Sequence, residues 1–509
     1  MASPAPSVRQ HLTATHLVGL TFFAVCGGDY GIEDAVGAAG PAWTLAGLLL
    51  VPWLWSLPIA LMTAELGSMI PDVGGPVIWV ERAFGPTVAH YNAIVHLVAN
   101  FFDNALYPVM FVDYLAESYL ALDLVGLPRY LLSAGMLLCV TLLNVAGVDA
   151  VASVSTLFTV LVISPFAALV FMGLPTLDPS AWFIGPAATL AAAAAGDGSG
   201  GFGNGSLGIE ADGSGGSIGD GSGGGSGGGG GFGGSGFGIG GGSVRWGTFL
   251  SVLLWNTSGY DSVGALAAEV ENPGRDFPRA MVASIVLISL VYVLPVGVGV
   301  SLDERSQLAS WTDGTLARVA QEQVGGWLAQ WISLGGALSA VGLLNTLLCA
   351  AARIVVSAGE IGVLPHALSR IDEASGAPVR ATIALSLGLL LVLSLPFSQL
   401  VEFSMLFYGA TTALEFLALV RLRSLEPHTP RPYRLPLTDG WALGLFCAPP
   451  LALCVLLIVV AERVSLLIFA ATIALAAIAH CARGKMAAAA APAPVARTGE
   501  RRSGAGLLM

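Results

Sequence analysis

The sequence predicts an all-α polytopic membrane protein with twelve transmembrane helices, the first and the sixth of them broken. Of its 509 residues, 55% are hydrophobic and 11% are charged, against roughly 25% charged residues in soluble domains. The charges are clustered, which leaves many apolar runs of roughly 20 residues, the length that crosses a bilayer as a helix. Two of these runs are interrupted at mid-length by glycines and polar side chains.

Apolar runs bounded by proline, glycine and charged residues define the predicted spans. The second run contains Pro52 and Pro58, which a membrane helix tolerates as kinks where neighbours satisfy the freed carbonyl groups. The N-terminus has neither the basic region nor the cleavage site of a signal peptide, so we expect the first span to direct insertion. We place the spans at residues 12–39, 43–70, 88–119, 127–145, 151–174, 246–270, 279–301, 328–357, 379–396, 400–423, 440–460 and 463–482.

The basic residues predict the orientation of these spans. With the N-terminus inside, five of the 21 Lys and Arg residues fall outside and the other 16 fall inside, as the positive-inside rule requires. We therefore expect cytoplasmic segments at residues 1–11, 424–439 and 484–509, and the plasma membrane as the location. Residues 175–245 form an extracellular loop. Its Gly/Ser tract at 196–243 has too few apolar side chains to fold, so we expect it to be disordered.

The first span contains three acidic residues in the stretch GGDYGIEDA, residues 27–35. Asp29 and Glu33 would repel each other one turn apart in a continuous helix, and the three glycines weaken a helix at the same place. We therefore predict a break near residues 27–31. Glu33 and Asp34 also suit an alternative role as caps at the outer end of the span.

The third and sixth spans also carry polar residues, which a membrane helix rarely keeps unless they face a cavity. Helical spacing puts a polar stripe on one face of the third span, made of His96, Asn100, Asp103 and Tyr107. A satisfied structural network is the alternative to a binding role for this stripe. In the sixth span, the segment NTSGYDS at residues 256–262 interrupts an apolar run.

Breaks in the first and sixth spans are typical of two inverted repeats of five helices each. In such proteins the discontinuous helices meet at the bilayer midplane, and their exposed ends bind substrate. We expect the repeats at residues 12–174 and 246–423, with the last two spans outside them at 440–483. This pattern indicates a carrier that works by alternating access.

Other functions and ligands have little support in the sequence. The six cysteines show neither disulfide nor metal-ligand spacing. No basic patch for nucleic acid lies outside the short C-terminal tail, and no nucleophile–base pair or metal cluster indicates an enzyme. We expect no cofactor and no metal.

Six motifs resemble the amino acid–polyamine–organocation superfamily and, within it, the polyamine uptake permeases of plants and trypanosomatid protozoa. They are GGDYGIEDAVGAAGP (27–41), AELGSMIPDVGGPVIWVERAFGP (64–86), FDNALYPVMFVDYL (102–115), LLWNTSGYDSVGALAAEVENPGRDFPRA (253–280), RIVVSAGEIGVLPHALSRIDEASGAPVRATI (353–383) and RPYRLP (431–436). The resemblance implies the inverted-repeat transporter fold and proton-driven uptake of polyamines such as putrescine and spermidine. It implies that Trp255 is the aromatic gate of the sixth span, and it places Asp261 where members with basic substrates also have a carboxylate. The Gly/Ser tract is not part of the family's pattern.

The charges of the first break favour a polyamine over an amino acid. An amino-acid carrier usually holds the α-carboxylate of its substrate on the bare N–H groups of a broken helix, and the three acids here would repel it. A polyamine has two or three positive charges and no carboxylate. At a separation of 4 Å and an effective dielectric of about 20, each pair of opposite charges gains roughly 4 kcal/mol. Tyr107, Trp255 and Tyr260 are suited to cation–π contacts with such a cargo.

Two absences point to a carboxylate as the proton carrier. The fifth span has no lysine of the kind that some proton-coupled relatives use, and the eighth lacks the Ser/Thr pair that ligates sodium in sodium-coupled members. The candidates are Asp103, Glu33 and Glu402.

Together these observations predict one substrate site and three partners, namely a polyamine, protons and the lipid bilayer. The alternatives are a cationic or neutral amino-acid permease of the same fold, and a channel-like or sensor membrane protein. The predicted substrate-binding residues are Gly28, Asp29, Tyr30, Gly31, Glu33, Asp34, Asp103, Asn104, Tyr107, Trp255, Asn256, Tyr260, Asp261 and Tyr408.

Overall fold

A computed structural model describes most of the chain between its two terminal tails. The described residues are 12–115, 126–189, 244–312, 314–394, 397–437, 440–461 and 463–490. The predicted tail at 1–11, the Gly/Ser tract and residues 491–509 lie outside them. Within the described residues the chain is helical, and its β structure is one isolated bridge between Leu12 and Val270.

The described residues contain sixteen α-helices. In chain order they are α1 (Ala14–Val25), α2 (Glu33–Ala39), α3 (Pro41–Val51), α4 (Leu57–Met69), α5 (Gly75–Phe84), α6 (Pro86–Leu115), α7 (Leu127–Ala146), α8 (Val148–Gly173), α9 (Trp246–Trp255), α10 (Pro273–Leu302), α11 (Thr315–Gln323), α12 (Gly326–Glu360), α13 (Val379–Leu389), α14 (Phe397–Leu425), α15 (Gly440–Val460) and α16 (Arg463–Ala490). A π-helical turn, Pro52–Ser56, joins α3 to α4, and a 3₁₀ segment, Ser262–Glu269, follows α9 after a gap.

Nine helical stretches of the described chain are long and apolar enough to cross a membrane. They correspond to the predicted spans two to five, seven, eight and ten to twelve, and they make this an integral membrane protein. The stretches are Pro41–Met69, Pro86–Leu115, Leu127–Ala146, Val148–Thr176, Pro273–Leu302, Gly326–Glu360, Phe403–Leu425, Gly440–Val459 and Arg463–Arg483. The first and sixth predicted spans are each interrupted, and the ninth contains a shorter helix.

The ninth predicted span, 379–396, differs most from its expected extent. Helix α13 ends at Leu389, and the N–H groups of Leu391 and Val392 donate to the carbonyls three residues earlier, at 3.0 Å each. Such i→i+3 bonds tighten the end of a helix into turns.

Helix α12 lies at the centre of the bundle. Of its most apolar window of 18 residues, 94% is buried, whereas the corresponding window of α16 is 11% buried. Polar contacts join α12 to its neighbours α7 and α8. Asn144 Nδ2 donates to Asn345 Oδ1 at 3.2 Å, and the hydroxyls of Ser155 and Thr346 lie 3.0 Å apart.

Two networks close opposite ends of the bundle. At the end that we call the Leu12 end, the N–H of Leu12 donates to the carbonyl of Glu269 at 3.0 Å, and the Glu269 side chain forms a buried ion pair with Arg353. At the opposite end, called the Trp182 end, Trp182 Nε1 donates to the carbonyl of Gly297 at 2.8 Å. The candidate site lies between these two ends, in the middle of the bundle.

Candidate functional site

The first predicted span is interrupted where its glycines predicted a break. Helix α1 ends at Val25 and α2 begins at Glu33. Gly27, Gly28 and Gly31 have φ values of 61°, 116° and 80°, in the left-handed region that residues with a Cβ atom rarely adopt. The sequence breaks the helix here because these positions require glycine.

The sixth predicted span is interrupted in the same way, and the two breaks are in contact. Helix α9 ends at Trp255, and Gly259 has a φ of 100°. A Cβ atom on Gly259 would collide with the carbonyl oxygen of Ala24, at the end of α1. Glycine is therefore needed for the two broken helices to approach each other.

Side chains from neighbouring helices hold the second break. From the π-helical turn, Trp55 Nε1 donates to Ser258 Oγ at 2.9 Å, and Ser56 Oγ donates to the carbonyl of Thr257 at 2.9 Å. The hydroxyl of Tyr292 lies 3.1 Å from Asn256 Oδ1 and 3.5 Å from the carbonyl oxygen of Cys26. Tyr292 thus bridges the two breaks, and backbone groups freed by the missing helical turns find partners, as buried polar groups must.

A cavity of about 50 Å³ lies beside the two breaks, between α1, α6, α12 and α14. A buried water needs roughly 10–15 Å³ of such space, so the cavity holds a few waters or a slender polar chain. The whole polar stripe predicted on the third span, His96, Asn100, Asp103 and Tyr107, lines it. The stripe therefore faces the interior of the bundle.

Asp103 enters the cavity from α6 and is held by three side chains. The Tyr107 hydroxyl donates to Oδ2 at 3.1 Å, and the Ser404 hydroxyl lies 3.4 Å from Oδ1. The Trp255 side chain is the third hydrogen-bond partner. The carboxylate is therefore tied to the third, sixth and tenth predicted spans at once.

Asp261 enters the cavity from the second break and is held by Tyr408 of α14. The Tyr408 hydroxyl donates to Asp261 Oδ1 at 2.6 Å and accepts from the N–H of Gly259 at 3.0 Å. Asp261 is 1% exposed, and its Oδ2 has no hydrogen-bond partner among the described residues. One oxygen of this buried carboxylate is thus fixed and the other is left for a ligand.

The cavity has the electrostatics of a cation site. Asp103 and Asp261 are close enough to repel each other when both are ionised. Of the described residues that line the cavity, none is a lysine or an arginine. A positively charged ligand relieves this repulsion, and a buried negative pair without one is unfavourable. Among the predicted substrate residues, those that line the cavity are Asp103, Tyr107, Trp255, Asn256, Asp261 and Tyr408.

The acidic residues of the first break lie outside the cavity lining. Asp29 is 0% exposed, and neither of its carboxylate oxygens has a hydrogen-bond partner among the described residues. Glu33 is buried in the first turn of α2 and accepts from the N–H of Gly31 at 3.0 Å. Asp34 follows it and is partly buried. In this conformation the three acids surround the break rather than the cavity.

Other predicted substrate residues also serve the surrounding structure in this conformation. The Tyr30 hydroxyl donates to the carbonyl of Ile332 on α12 at 2.7 Å, which anchors the first break. Asn104 Nδ2 donates to the carbonyl of Asn100 at 2.7 Å. Tyr260 is buried next to the cavity residue Asp261 but does not line the cavity, and neither do Gly28 and Gly31.

Sequence reasoning missed one buried carboxylate, Glu415 of α14. It is 0% exposed and lies 3.9 Å from the imidazole of His96, measured from Oε1 to Nδ1. A signal was present, since Glu415 is a lone acid in the apolar run TTALEFLAL, and charged residues inside a span are rarely without function. The predicted proton carrier Glu402 belongs to the same helix, but its side chain lies outside the described residues.

No metal site is apparent in the described part of the chain. Its residues contain no group of three or more His, Cys, Asp or Glu side chains placed to hold a metal ion. The cavity is instead lined by two carboxylates with hydroxyl and indole partners and by amide and imidazole groups, which suit an organic cation.

Comparisons with known proteins agree with this geometry. A family model described as amino acid permease matches residues 12–478. A probable polyamine transporter of Arabidopsis thaliana is 32% identical over 436 residues, which cover 85% of this chain and 76% of that protein. Polyamine transporter PUT1 of Oryza sativa subsp. japonica is 31% identical over 452 residues (88% and 74%), and polyamine transporter RMV1 of Arabidopsis thaliana is 31% identical over 458 residues (89% and 81%).

Proposed function

The chain belongs to the amino acid permease family, in the branch of the polyamine transporters, and we propose that it takes up polyamines such as putrescine and spermidine together with protons. It is a transporter and not an enzyme. The observation on which the choice of cargo rests is the pair of carboxylates, Asp103 and Asp261, in a cavity with no lysine or arginine among its described lining residues.

The chemistry of a polyamine matches the contents of this cavity. Two ammonium groups separated by methylene groups offer one positive charge to each carboxylate, and the free Oδ2 of Asp261 can accept a hydrogen bond from one of them. Each charge pair gains roughly 4 kcal/mol at 4 Å with an effective dielectric of about 20, which offsets much of the cost of removing the cargo from water. Tyr107, Trp255 and Tyr408 offer aromatic surface to the ammonium groups and the methylenes.

Alternating access is the mechanism that we propose for this transport. It is supported by the two breaks, which lie in the first and sixth predicted spans, touch at Ala24 and Gly259, and adjoin the cavity. Paired discontinuous helices of this kind are found in carriers with 5+5 inverted repeats, where one helix group rocks against the other. We propose the same repeats here, at 12–174 and 246–423, within twelve spans.

We also propose that the Leu12 end faces the cytoplasm, at the plasma membrane. Basic residues collect at this end, where Arg353 pairs with Glu269, Arg423 pairs with Glu65, and Arg431 lies 3.4 Å from Glu65. This distribution follows the positive-inside rule. Substrate would then enter from the Trp182 end and leave past these ion pairs.

Uptake by a transport-deficient host tests the proposal. Cells that express the protein should accumulate labelled putrescine and spermidine in a saturable way that a protonophore abolishes, with uptake compared from pH 5 to pH 8. Asp103→Asn should lower spermidine uptake at least tenfold. Asp113→Asn is the matched control, because Asp113 is on the same helix but is half-exposed and pairs with Arg129. Spermidine uptake by Asp113→Asn should stay within twofold of wild type.

An amino-acid permease is the second candidate, favoured by the description of the matching family. Competition distinguishes the two. Excess putrescine should block spermidine uptake, whereas arginine and leucine should not. Inhibition by arginine or leucine but not by putrescine would overturn the polyamine assignment, and non-saturable flux that ignores the protonophore would favour a channel.

A further inference from the structure

Glu415 of α14 is a buried carboxylate that cargo binding does not use. It is 0% exposed, and both of its oxygens lack a hydrogen-bond partner among the described residues. An isolated ionised carboxylate in an apolar interior costs several kcal/mol, so such groups are normally paired, hydrogen-bonded or neutralised by a proton. Its position on α14 is two turns beyond Tyr408, toward the Leu12 end.

The ionisable group that faces Glu415 is the imidazole of His96 on α6. The two side chains are 3.9 Å apart, and each is at most 4% exposed. His96 Nδ1 has no other hydrogen-bond partner among the described residues, and the His96 side chain lines the cavity. The His96 imidazole therefore borders both Glu415 and the cavity.

Two more unpartnered polar side chains lie one helical turn from this pair. Asn92 precedes His96 by one turn on α6, and Thr412 precedes Glu415 by one turn on α14. Both are 0% exposed, and the amide of Asn92 and the hydroxyl of Thr412 lack partners among the described residues. Neither group titrates, but both can donate to a carboxylate and accept from a protonated one. Unsatisfied polar atoms concentrated at one helix interface indicate a site that holds something small and polar.

Among the described residues, Glu415 forms no ion pair other than the contact with His96. Arg423, two turns further along α14, is engaged by Glu65 and by the carbonyls of Leu435 and Leu437. Asp261 is close enough to Glu415 to repel it when both are ionised. Other titratable or charged side chains on α14 and on the described elements around it include Tyr408 and Arg421 of α14, Glu65 of α4, Glu81 and Arg82 of α5, His90, Tyr91, Asp103, Tyr107, Asp113 and Tyr114 of α6, Cys447 and Cys454 of α15, and Arg463, His480, Cys481 and Arg483 of α16.

We propose that His96 and Glu415 form the proton-binding site of the carrier, with His96 at the edge of the cargo cavity and Glu415 behind it. With one proton the pair is neutral overall, either as imidazole and carboxylic acid or as imidazolium and carboxylate. Without it, a carboxylate stands beside a neutral imidazole. The repulsion between Glu415 and Asp261 links the proton site to the cargo site, because the charge of each alters the occupancy of the other. This inference rests on the proposed proton-coupled transport and names its proton carrier.

Proteoliposomes that contain the full chain and a trapped pH-sensitive dye test this assignment. In wild type, external spermidine should drive proton movement into the vesicles, and an inward proton gradient should stimulate spermidine uptake. Glu415→Gln keeps the size of the side chain but cannot release a proton. It should lower spermidine-evoked proton movement at least tenfold and abolish the stimulation by the gradient, while exchange of internal for external spermidine continues.

Two further variants make the result specific. Glu426→Gln is the matched control, because Glu426 follows the same helix but is partly exposed and pairs with Arg82; it should move protons at the wild-type rate. His96→Asn removes the other member of the pair, on α6, and should also suppress proton movement. This variant therefore tests the assignment of the proton site if Glu415→Gln does not fold.

The outcomes separate this inference from the proposed function. Wild-type vesicles that accumulate spermidine without moving protons would overturn proton coupling itself. Proton movement in wild type and at an equal rate in either Glu415→Gln or His96→Asn would overturn the assignment of the carrier and leave polyamine transport intact. Loss of exchange together with proton movement in a folded Glu415→Gln protein would make Glu415 part of the cargo site and also overturn the assignment.

Discussion

Replacement of Asp261 by asparagine is the sharpest test of the cargo site. The substitution removes one negative charge and changes little else, because the asparagine carbonyl can still accept from the Tyr408 hydroxyl, now 2.6 Å from Oδ1. The second oxygen of Asp261, unpartnered among the described residues, is replaced by an NH₂ group that would point its hydrogens at an incoming ammonium. An acceptor for the cargo thus becomes a donor.

The expected loss of affinity follows from this change of charge. The Coulomb attraction between an ammonium and a carboxylate at 4 Å is roughly 4 kcal/mol at an effective dielectric of about 20. Part of it is offset by desolvation, and hydrogen bonds to charged groups contribute about 1.5–3 kcal/mol net. Since each 1.4 kcal/mol is tenfold, Asp261→Asn should raise the Kd for spermidine roughly 10- to 150-fold.

Binding of labelled spermidine to purified protein in detergent measures this effect. Asp113→Asn, an exposed aspartate on α6 that pairs with Arg129, should leave the Kd within twofold. The melting temperature of both variants should match the wild type, which shows that the fold is intact. A change of less than threefold for Asp261→Asn in a folded protein would refute the assignment of Asp261 to the cargo.

Three further predictions concern the elements that support the site. Glu65→Gln should destabilise the protein by about 3–5 kcal/mol, because it leaves two arginines at the Leu12 end without their buried counter-charge; thermal unfolding in detergent measures this, and an unchanged melting temperature would contradict it. Gly259→Ala should lower stability and spermidine binding, because its φ of 100° and the nearby Ala24 carbonyl exclude a Cβ atom. In the control Gly135→Ala the Cβ has open space inside a helix, so that variant should be neutral or more stable by about 0.5–1 kcal/mol. The hydrogen bond from Arg82 holds the pKa of Glu426 below the usual value of a glutamate. The stabilisation that this ion pair gives the folded state is therefore fully present at pH values above the usual pKa, and it is lost as the pH falls through the lowered pKa. Glu426→Gln should therefore cost about 0.2–1 kcal/mol at pH 7 and nothing at strongly acid pH.

Most of the fold could be predicted from hydropathy and from the positions of helix-breaking residues. The nine long apolar helices of the described chain match predicted spans because a membrane helix must satisfy its backbone internally over a fixed length. The break in the first span was predictable because Gly27 and Gly28 lower the cost of leaving the helix. The early end of α13 and the π-helical turn at Pro52–Ser56 were not, because both depend on which neighbours accept the freed backbone groups.

The sequence predicted only part of the candidate site, because helical periodicity places residues along a helix but not inside a break. Helical periodicity tells which residues share a face, and the stripe from His96 to Tyr107 indeed faces one cavity. Helical periodicity does not apply inside a break, where the chain changes direction. The sequence therefore could not tell which of Asp29 and Asp261 lines the cavity. Asp261 lines the cavity and Asp29 does not. Glu415 was missed since a lone acid in an apolar run gives no partner until the packing of α6 against α14 is known.

Asp103, Asp261 and Glu415 are three interior carboxylates with two kinds of surroundings, and the difference suits two different cargoes. Asp103 and Asp261 accept hydrogen bonds from hydroxyl groups and face a cavity, where we propose that they meet a cation that arrives with its own charge and departs with it. Glu415 faces an imidazole and lies outside the cavity lining, and this is where we propose that the proton binds. If both proposals hold, the two charges bind at neighbouring sites, and the occupancy of each site alters the affinity of the other. The acids of GGDYGIEDA, whose charges first favoured a polyamine, lie around the first break and outside the cavity lining.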